Sequence, residues 1–397
     1  MKLRRNKRVV VAVDLAYPSG QRHIEGLLRY LRSRKVQWDL RIKRSVPECL
    51  VHDVAKFPAW DIDGVIYAQP QHVTGAREAL AHLLALDIPV VLIDPGNNPA
   101  IVKRHVNIAI IRTDPDSIGE AAAKCFLAQG RCRCFGYVPD VLNRSWSQKR
   151  GNAFKASLEA HGHDCNFFIP RIPKSNDFAE LCAWLKSLQK PAGILAAYDD
   201  RALTVIEACF ATGLSIPHDI SLLSVDDDTM LCENCRPTLS SIRPDQERSG
   251  YAAGACLSSL MNRECRKVHV LQLPVKSLTH RGSTLADSYA GQLVQKALAY
   301  IRKNCRHAIG PADVAEHLGV SRPLLDLRFR ELLDVSVGKT ITSERLAAVC
   351  NELKTSNATI AEIAERFNYG SDAQLMRQFK RELGMTVKTF RLGKIRT

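Results

Sequence analysis

Four aspartates stand at or just beyond the ends of short apolar runs. Asp14 closes VVVAVD, Asp94 closes PVVLID, Asp199 follows AGILAAY and Asp226 closes ISLLSVD. Together with Arg150 and the aromatic residues Tyr17, Trp146 and Tyr198, they are the set that a polyhydroxylated ligand requires. Carboxylates and a guanidinium bond hydroxyls in directions that fix stereochemistry, and an aromatic face packs the apolar side of a sugar ring. A single aspartate at a strand end is as often a helix N-cap as a ligand contact, so the collection carries the weight.

The elements that must position these side chains alternate. From Arg8 to about Leu273, β-branched runs such as DGVIYA (63–68), CFGYVP (134–139) and ISLLSVD are each followed by helical spacing of apolar residues. That alternation predicts parallel sheets covered on both faces, with about six strands before residue 120 and a comparable set after it. Ligands of such sheets bind beyond the carboxyl ends of the strands, and between two lobes that place becomes a cleft.

The last hundred or so residues read differently, because one pattern occurs there twice. DVAEHLGVSRPLLDLRFREL (313–332) and EIAERFNYGSDAQLMRQFKREL (362–383) superpose Ala315 on Ala364, Gly319 on Asn368, Leu325 on Leu375 and Phe329 on Phe379. A small residue where two helices cross, then a residue tolerant of positive φ in the turn, is the requirement of a helix-turn-helix. Ser321 and Ser371 follow as N-cap candidates for each second helix.

This carboxyl-terminal part, about Gln292 to Arg391, resembles the DNA-binding domain of the AraC/XylS family. Arg345, Leu346, Ala348 and Leu353 match that family's linker helix, and GMTVKTFR (384–391) its closing signature, with Val387 for Pro and Phe390 for Tyr. The resemblance implies that the two second helices enter successive major grooves of double-stranded DNA, roughly 34 Å apart. It implies Arg322, Asp326 and Arg328 in the first unit, and Asp372, Ala373, Gln374 and Arg377 in the second, as the DNA-facing residues. Arg322 and Gln374 are the candidates for reading guanine and adenine.

The larger part resembles the effector domains of the LacI/GalR regulators, whose fold is that of periplasmic binding proteins. AGILAAYDDRALTVIEACFATGLSIPHDISLLSVDD (192–227) carries the likeness. Asp226 falls on a position that is commonly a ligand contact, Tyr198 and Asp199 fall on an Asn-Asp pair, and Arg150 falls on a pocket arginine. Gln21 stands where relatives tend to carry Arg and joins the candidate ligand residues. The expected fold is thus α/β, a two-lobed periplasmic-binding-protein-like effector domain followed by an all-α double helix-turn-helix domain. The expected boundaries are a basic arm at 1–8, the effector domain at 9–278, a linker at 279–291 and the DNA-binding domain at 292–397.

Composition agrees. A net charge of +15 favours an anionic partner, since Lys and Arg gain by displacing counterions from phosphate. The basic opening MKLRRNKR runs into a strand-like VVVAV rather than a signal peptide's apolar core, and no apolar run approaches the roughly 20 residues of a spanning helix. A cytoplasmic protein without membrane contact is expected. Of the 13 cysteines, only Cys132/Cys134 and Cys232/Cys235 are close pairs, and neither has zinc-ribbon flanks. No phosphate loop, dinucleotide fingerprint, nucleophile elbow or zinc-protease motif occurs, so neither an enzyme nor a cofactor is expected. The reading is a homodimeric transcription regulator that responds to a small effector, a pentose or other monosaccharide. A sensor of a non-sugar ligand such as a nucleoside remains open, and a solute-binding protein would explain the first part alone. Activation and repression are equally open.

Overall fold

The protein is described by a computed structural model covering residues 5–43, 60–68, 76–86, 88–95, 107–142, 144–170, 177–264, 269–285, 289–333, 335–356 and 358–391. Residues 1–4 of the basic arm lie outside these. The first lobe starts with β1 (Lys7–Ala12), α1 (Pro18–Arg34), β2 (Trp38–Lys43), β3 (Gly64–Ala68), α2 (Ala76–Leu84), β4 (Val90–Ile93) and β5 (Ile108–Thr113). The second holds α3 (Pro115–Leu127), β6 (Cys134–Val138), α4 (Ser145–Glu159), β7 (Cys165–Phe167) and α5 (Phe178–Ser187). It continues with β8 (Ala192–Ala196), α6 (Asp199–Thr212), β9 (Ile220–Val225), α7 (Thr229–Cys232) and β10 (Ser240–Pro244). Helix α8 (Gln246–Met261) then returns to the first lobe and packs along α1, before β11 (His269–Leu273) and β12 (Val275–Thr279).

The strands form two six-stranded sheets, ordered β11-β5-β4-β3-β1-β2 and β12-β10-β9-β8-β6-β7, with β10 and β12 antiparallel. In β1, Val9 and Val11 pack with Leu27 of α1 and Leu257 of α8, while Val10 and Ala12 pack with Leu80 of α2 on the opposite face. Cover on both faces is why this strand is apolar at consecutive positions rather than alternate ones. Among the described residues each lobe has the expected six strands, but not in chain order. Each lobe takes five strands in order and receives its sixth late, from a tail that Pro274 divides between β11 and β12. Proline has no N–H to give either ladder, so the break between the sheets falls there.

The chain therefore passes between the lobes near Asp114, Asp245 and Pro274. These crossings are tied together: Asp114 N donates to Leu273 O (2.8 Å) and Val275 N donates to Ser117 Oγ (3.1 Å). Beside them α1 and α8 touch backbone to backbone. A Cβ on Gly250 would lie 1.9 Å from His23 O, and one on Gly26 would lie 1.9 Å from Glu247 O.

After β12 the expected linker is largely absent as a linker. Ser283 N donates to Thr238 O (2.8 Å), Leu222 N donates to Ser283 O (2.8 Å), and Arg281 pairs with the Asp227 carboxylate (2.8 Å). Polar residues that read as a spacer are buried because they complete the second sheet's hydrogen bonding. Leu285 then enters the helical domain's core, beside Leu293, Val294 and Phe329. Residues 286–288 of the expected linker lie outside the described residues.

The helical domain comprises α9 (Tyr289–Asn304), α10 (Pro311–His317), α11 (Arg322–Leu333), α12 (Val337–Thr355), α13 (Ile360–Arg366), α14 (Asp372–Leu383) and α15 (Val387–Arg391). It has two cores that share α12. Val337 and Ile341 join the first, and Leu346, Val349 and Leu353 join the second.

Candidate effector cleft and nucleic-acid interface

A cavity of about 540 Å³ opens between the lobes. This is within the usual size of a small-molecule site. Its walls include Asp14, Tyr17, Asp94, Trp146, Arg150, Tyr198, Asp199 and Asp226, bringing together every strand-end candidate named from sequence. Gln21 is not among them: it is exposed, and its Nε2 donates to Leu15 O (3.1 Å). Helical phase explains the difference, because Ser19, Gly20 and His23 share the face of α1 turned to the cleft while Gln21 points away.

The second lobe contributes a stacked wall. Arg150 lies over the Trp146 ring at 4.6 Å, donates to Ala197 O (2.6 Å) and stands 3.9 Å from the Asp226 carboxylate. Trp146 meets Tyr198 edge to face at 6.0 Å. Asp226 has φ 113°, and 36% of its side chain is reachable through the cavity although protein surrounds it. Burial pushes its carboxyl up to about 7 against the opposing pull of Arg150, so near neutral pH it can donate or accept. Arg22 of α1 donates to the carbonyls of Asp226 (2.6 Å) and Asp227 (2.7 Å), fastening the first lobe to the residues just after β9.

The other aspartates are more committed. Asp94 accepts from Thr113 N (2.8 Å) and Oγ1 (3.0 Å), and Asp14 accepts from Ala16 N (3.0 Å). Asp199 receives the Ser224 hydroxyl, the Ser241 hydroxyl (2.7 Å) and Asp228 N (2.7 Å), so its oxygens brace the wall. Sequence reasoning missed His23, Arg112, Lys149 and Gln246, all of which line the cavity. Burial lowers the His23 imidazole to about 4, which makes it a neutral group there. Gln246 is buried, and its Oε1 has no partner among the described residues.

In the helical domain the two turns are alike in conformation. Gly319 has φ 64° and Asn368 φ 57°, and Ser321 and Ser371 accept from Leu324 N (3.4 Å) and Gln374 N (3.2 Å). Arg345 donates to the carbonyls of Cys305, His307 and Ile309, closing the end of α9, which explains an arginine at that place in the linker helix. On α11, Arg322 is exposed and loosely placed 3.8 Å from Asp326, and Arg328 pairs with Glu331 (2.6 Å). Asp326 accepts from Val337 N (3.1 Å), so it caps α12 rather than standing free. On α14, Ala373 and Arg377 are exposed and Asp372 accepts from Ala373 N (2.7 Å). Gln374 accepts from Gly370 N (2.8 Å), which leaves its Nε2 to donate outward. Among the described residues no group of three or more His, Cys, Asp or Glu is placed to hold a metal, and no helix is long and apolar enough to cross a membrane.

Residues 123–284 match the family model of a periplasmic binding protein-like domain, and residues 314–393 that of a helix-turn-helix domain. The fold and these matches put a periplasmic-binding-protein-like domain and an AraC-type helix-turn-helix domain in one chain, the make-up of a transcription regulator. Its homologues are xylose operon regulatory proteins, which are transcription regulators and not enzymes. That of Haemophilus influenzae is 27% identical over 377 residues, spanning 93% of this chain and 94% of its own. Among solved structures, a xylose-binding transcription activator aligns over 98% of both chains with a TM-score of 0.59 at 22% identity. A LacI-family regulator from Enterococcus faecium with bound ribose aligns over 70% of this chain and 98% of its own, with a TM-score of 0.54 at 20% identity.

Proposed function

We propose that the interlobe cleft takes a monosaccharide, a pentose such as the xylose named for the relatives, and that its binding alters operator recognition by a cytoplasmic homodimer. The observation that carries this reading is the cleft wall of Arg150, Trp146 and Tyr198 facing Asp226. A flat aromatic edge, a fixed cation and a carboxyl able to donate or accept suit a ring with hydroxyls on both faces. Two helix-turn-helix units with polar outer faces supply contact with successive major grooves, Arg322 and Arg377 being exposed cations in the first two turns of the second helices. A two-fold dimer is the commonest assembly and would double that contact.

The test is a thermal-shift screen of pentoses, hexoses and nucleosides. A ligand present at 100 times its Kd adds about 2.7 kcal/mol. D-xylose or another pentose should give the largest shift, and a response to nucleosides alone would reassign the effector. Sedimentation with and without a duplex selected from a random pool reads the dimer and DNA binding together.

A further inference from the structure

One carboxylate at the hinge gathers cations from each part of the molecule. Glu247 lies in the first turn of α8, two residues past the crossing at Asp245, and is buried where α8 meets α1. Its Oε1 accepts from Arg243 (2.8 Å), on β10 just before that crossing. Its Oε2 accepts from Lys276 (2.9 Å), on β12 just past the crossing at Pro274, and from Lys354 (3.1 Å), near the end of α12. Arg29 of α1 stands 4.0 Å away. Burial alone would raise this carboxyl, but Lys276, Lys354 and Arg243 hold it well below the usual range, so it stays ionised.

We propose that the Lys354–Glu247 ion pair is the contact through which movement of the effector lobes reaches the DNA-binding domain. The proposal rests on the reading of the chain as an effector-responsive regulator and names the residues of that response. Arg243 and Lys276 flank the crossings about which the lobes must turn, so lobe rotation changes their distances to Glu247. Lys354 shares Oε2 with Lys276, and a single negative charge cannot hold both at full strength. What Lys276 gains, Lys354 loses. Helix α12 carries the result onward, because its 19 residues contribute to both helix-turn-helix cores. A displacement at Lys354 therefore moves α11 and α14 with it.

The experiment uses the full chain with Lys354→Met, which leaves Glu247 paired with Arg243 and Lys276, beside Lys354→Arg, which keeps the charge. Side-chain exposure of 37% at Lys354 makes both changes compatible with folding. Hydrogen exchange is read first, with no effector or DNA added. Lys354→Met should exchange several-fold faster in the last turn of α12 and the first turn of α8, and Lys354→Arg should match the parent. Unchanged exchange in Lys354→Met overturns the contact. Titrations of a duplex selected by the parent protein follow, with and without saturating D-xylose. In the parent, D-xylose should change DNA affinity by about 5- to 150-fold. In Lys354→Met that ratio contracts toward one, and Lys354→Arg restores it; a full parental ratio in Lys354→Met overturns the coupling role. If D-xylose leaves the parent unaffected, the pentose assignment is what fails. The exchange measurement needs no ligand and still decides the contact.

Discussion

The two helix-turn-helix units repeat one pattern but are fastened to the effector domain by different physics. The first takes Leu285, from the strap that ends the second lobe, into its own core. His280, just upstream, is half-buried near Arg302 of α9, and desolvation with that neighbouring charge lowers its imidazole to about 4. The second unit is joined through α12, where Lys354 reaches a single buried carboxylate. Apolar burial has no preferred direction and tolerates rotation, whereas an ion pair depends on distance and yields to competing cations. The first unit is thus held by an apolar plug, and the second by a charge contact that competing cations weaken.

The most damaging way to break that comparison is Leu285→Ala, expected to cost about 2–5 kcal/mol as a large-to-small change in a core. Chemical denaturation gives the magnitude, and hydrogen exchange should show the loss in α9–α11 and not in α13–α15. Equal loss in both would make the two units one cooperative block and end the distinction. Arg322→Ala should cost about 1–3 kcal/mol on a cognate duplex and little on random DNA, as measured by competition gel shift. Gln374→Ala should cost less, because its Oε1 already serves Gly370 N; the opposite order would show that the second unit reads the operator more closely. Asp326→Ala sharpens the comparison from the stability side. Losing the bond to Val337 N should lower stability by about 0.5–2 kcal/mol without changing which sequence is bound. A changed sequence preference would return Asp326 to the DNA-facing set.

A test in the effector cleft serves as a control for both units. The Asp226 carboxyl rises from the ordinary 3.8 to about 7 in the folded protein. Its neutral form is favoured by folding, so its contribution is complete below the lower value and is lost as pH rises through the upper one. Asp226→Asn removes that dependence. The Tm of the variant should gain on the parent between about pH 4 and pH 7 and keep a constant difference above that, while DNA binding without effector is kept. A constant Tm difference across that range would show that Asp226 titrates as an ordinary exposed carboxylate.

Much of this architecture was legible because it rests on local rules. Buried parallel strands such as β1, β8 and β9 are continuous apolar runs, and the paired positive-φ positions Gly319 and Asn368 mark two turns of one kind. One strand that obeys the rule, β5, was passed over, and three others escaped notice where the rule fails. Edge strand β2 is half exposed, β7 is three residues long, and β10 begins with Ser240 and Ser241, which read as turn but are buried and hydrogen-bonded. In the cleft, Trp146 and Arg150 on α4 were found along with the strand-end residues, whereas Arg112 on β5 and Lys149 on α4 were not, and on α1 helix phase decided between Gln21 and His23. Glu247 gave no local signal at all. Its partners come from α1, β10, β12 and α12, and only tertiary structure brings them to one atom group.

The strap also bears on interchangeability. Fusions of a sensor to a DNA-binding module invite cutting and rejoining at the seam, and a cut before Gln292 would follow the family resemblance. That cut would leave a leucine-sized vacancy in the first unit and an unplugged apolar end on the sensor. Recombination at this junction keeps both halves whole only if residues 281–285 travel with each side. Arg281 and Ser283 are required by the sensor, and Leu285 is required by its neighbour. The five-residue overlap makes the two domains a poor pair of cassettes, and a chimaera of this protein should carry that stretch in common with both parents.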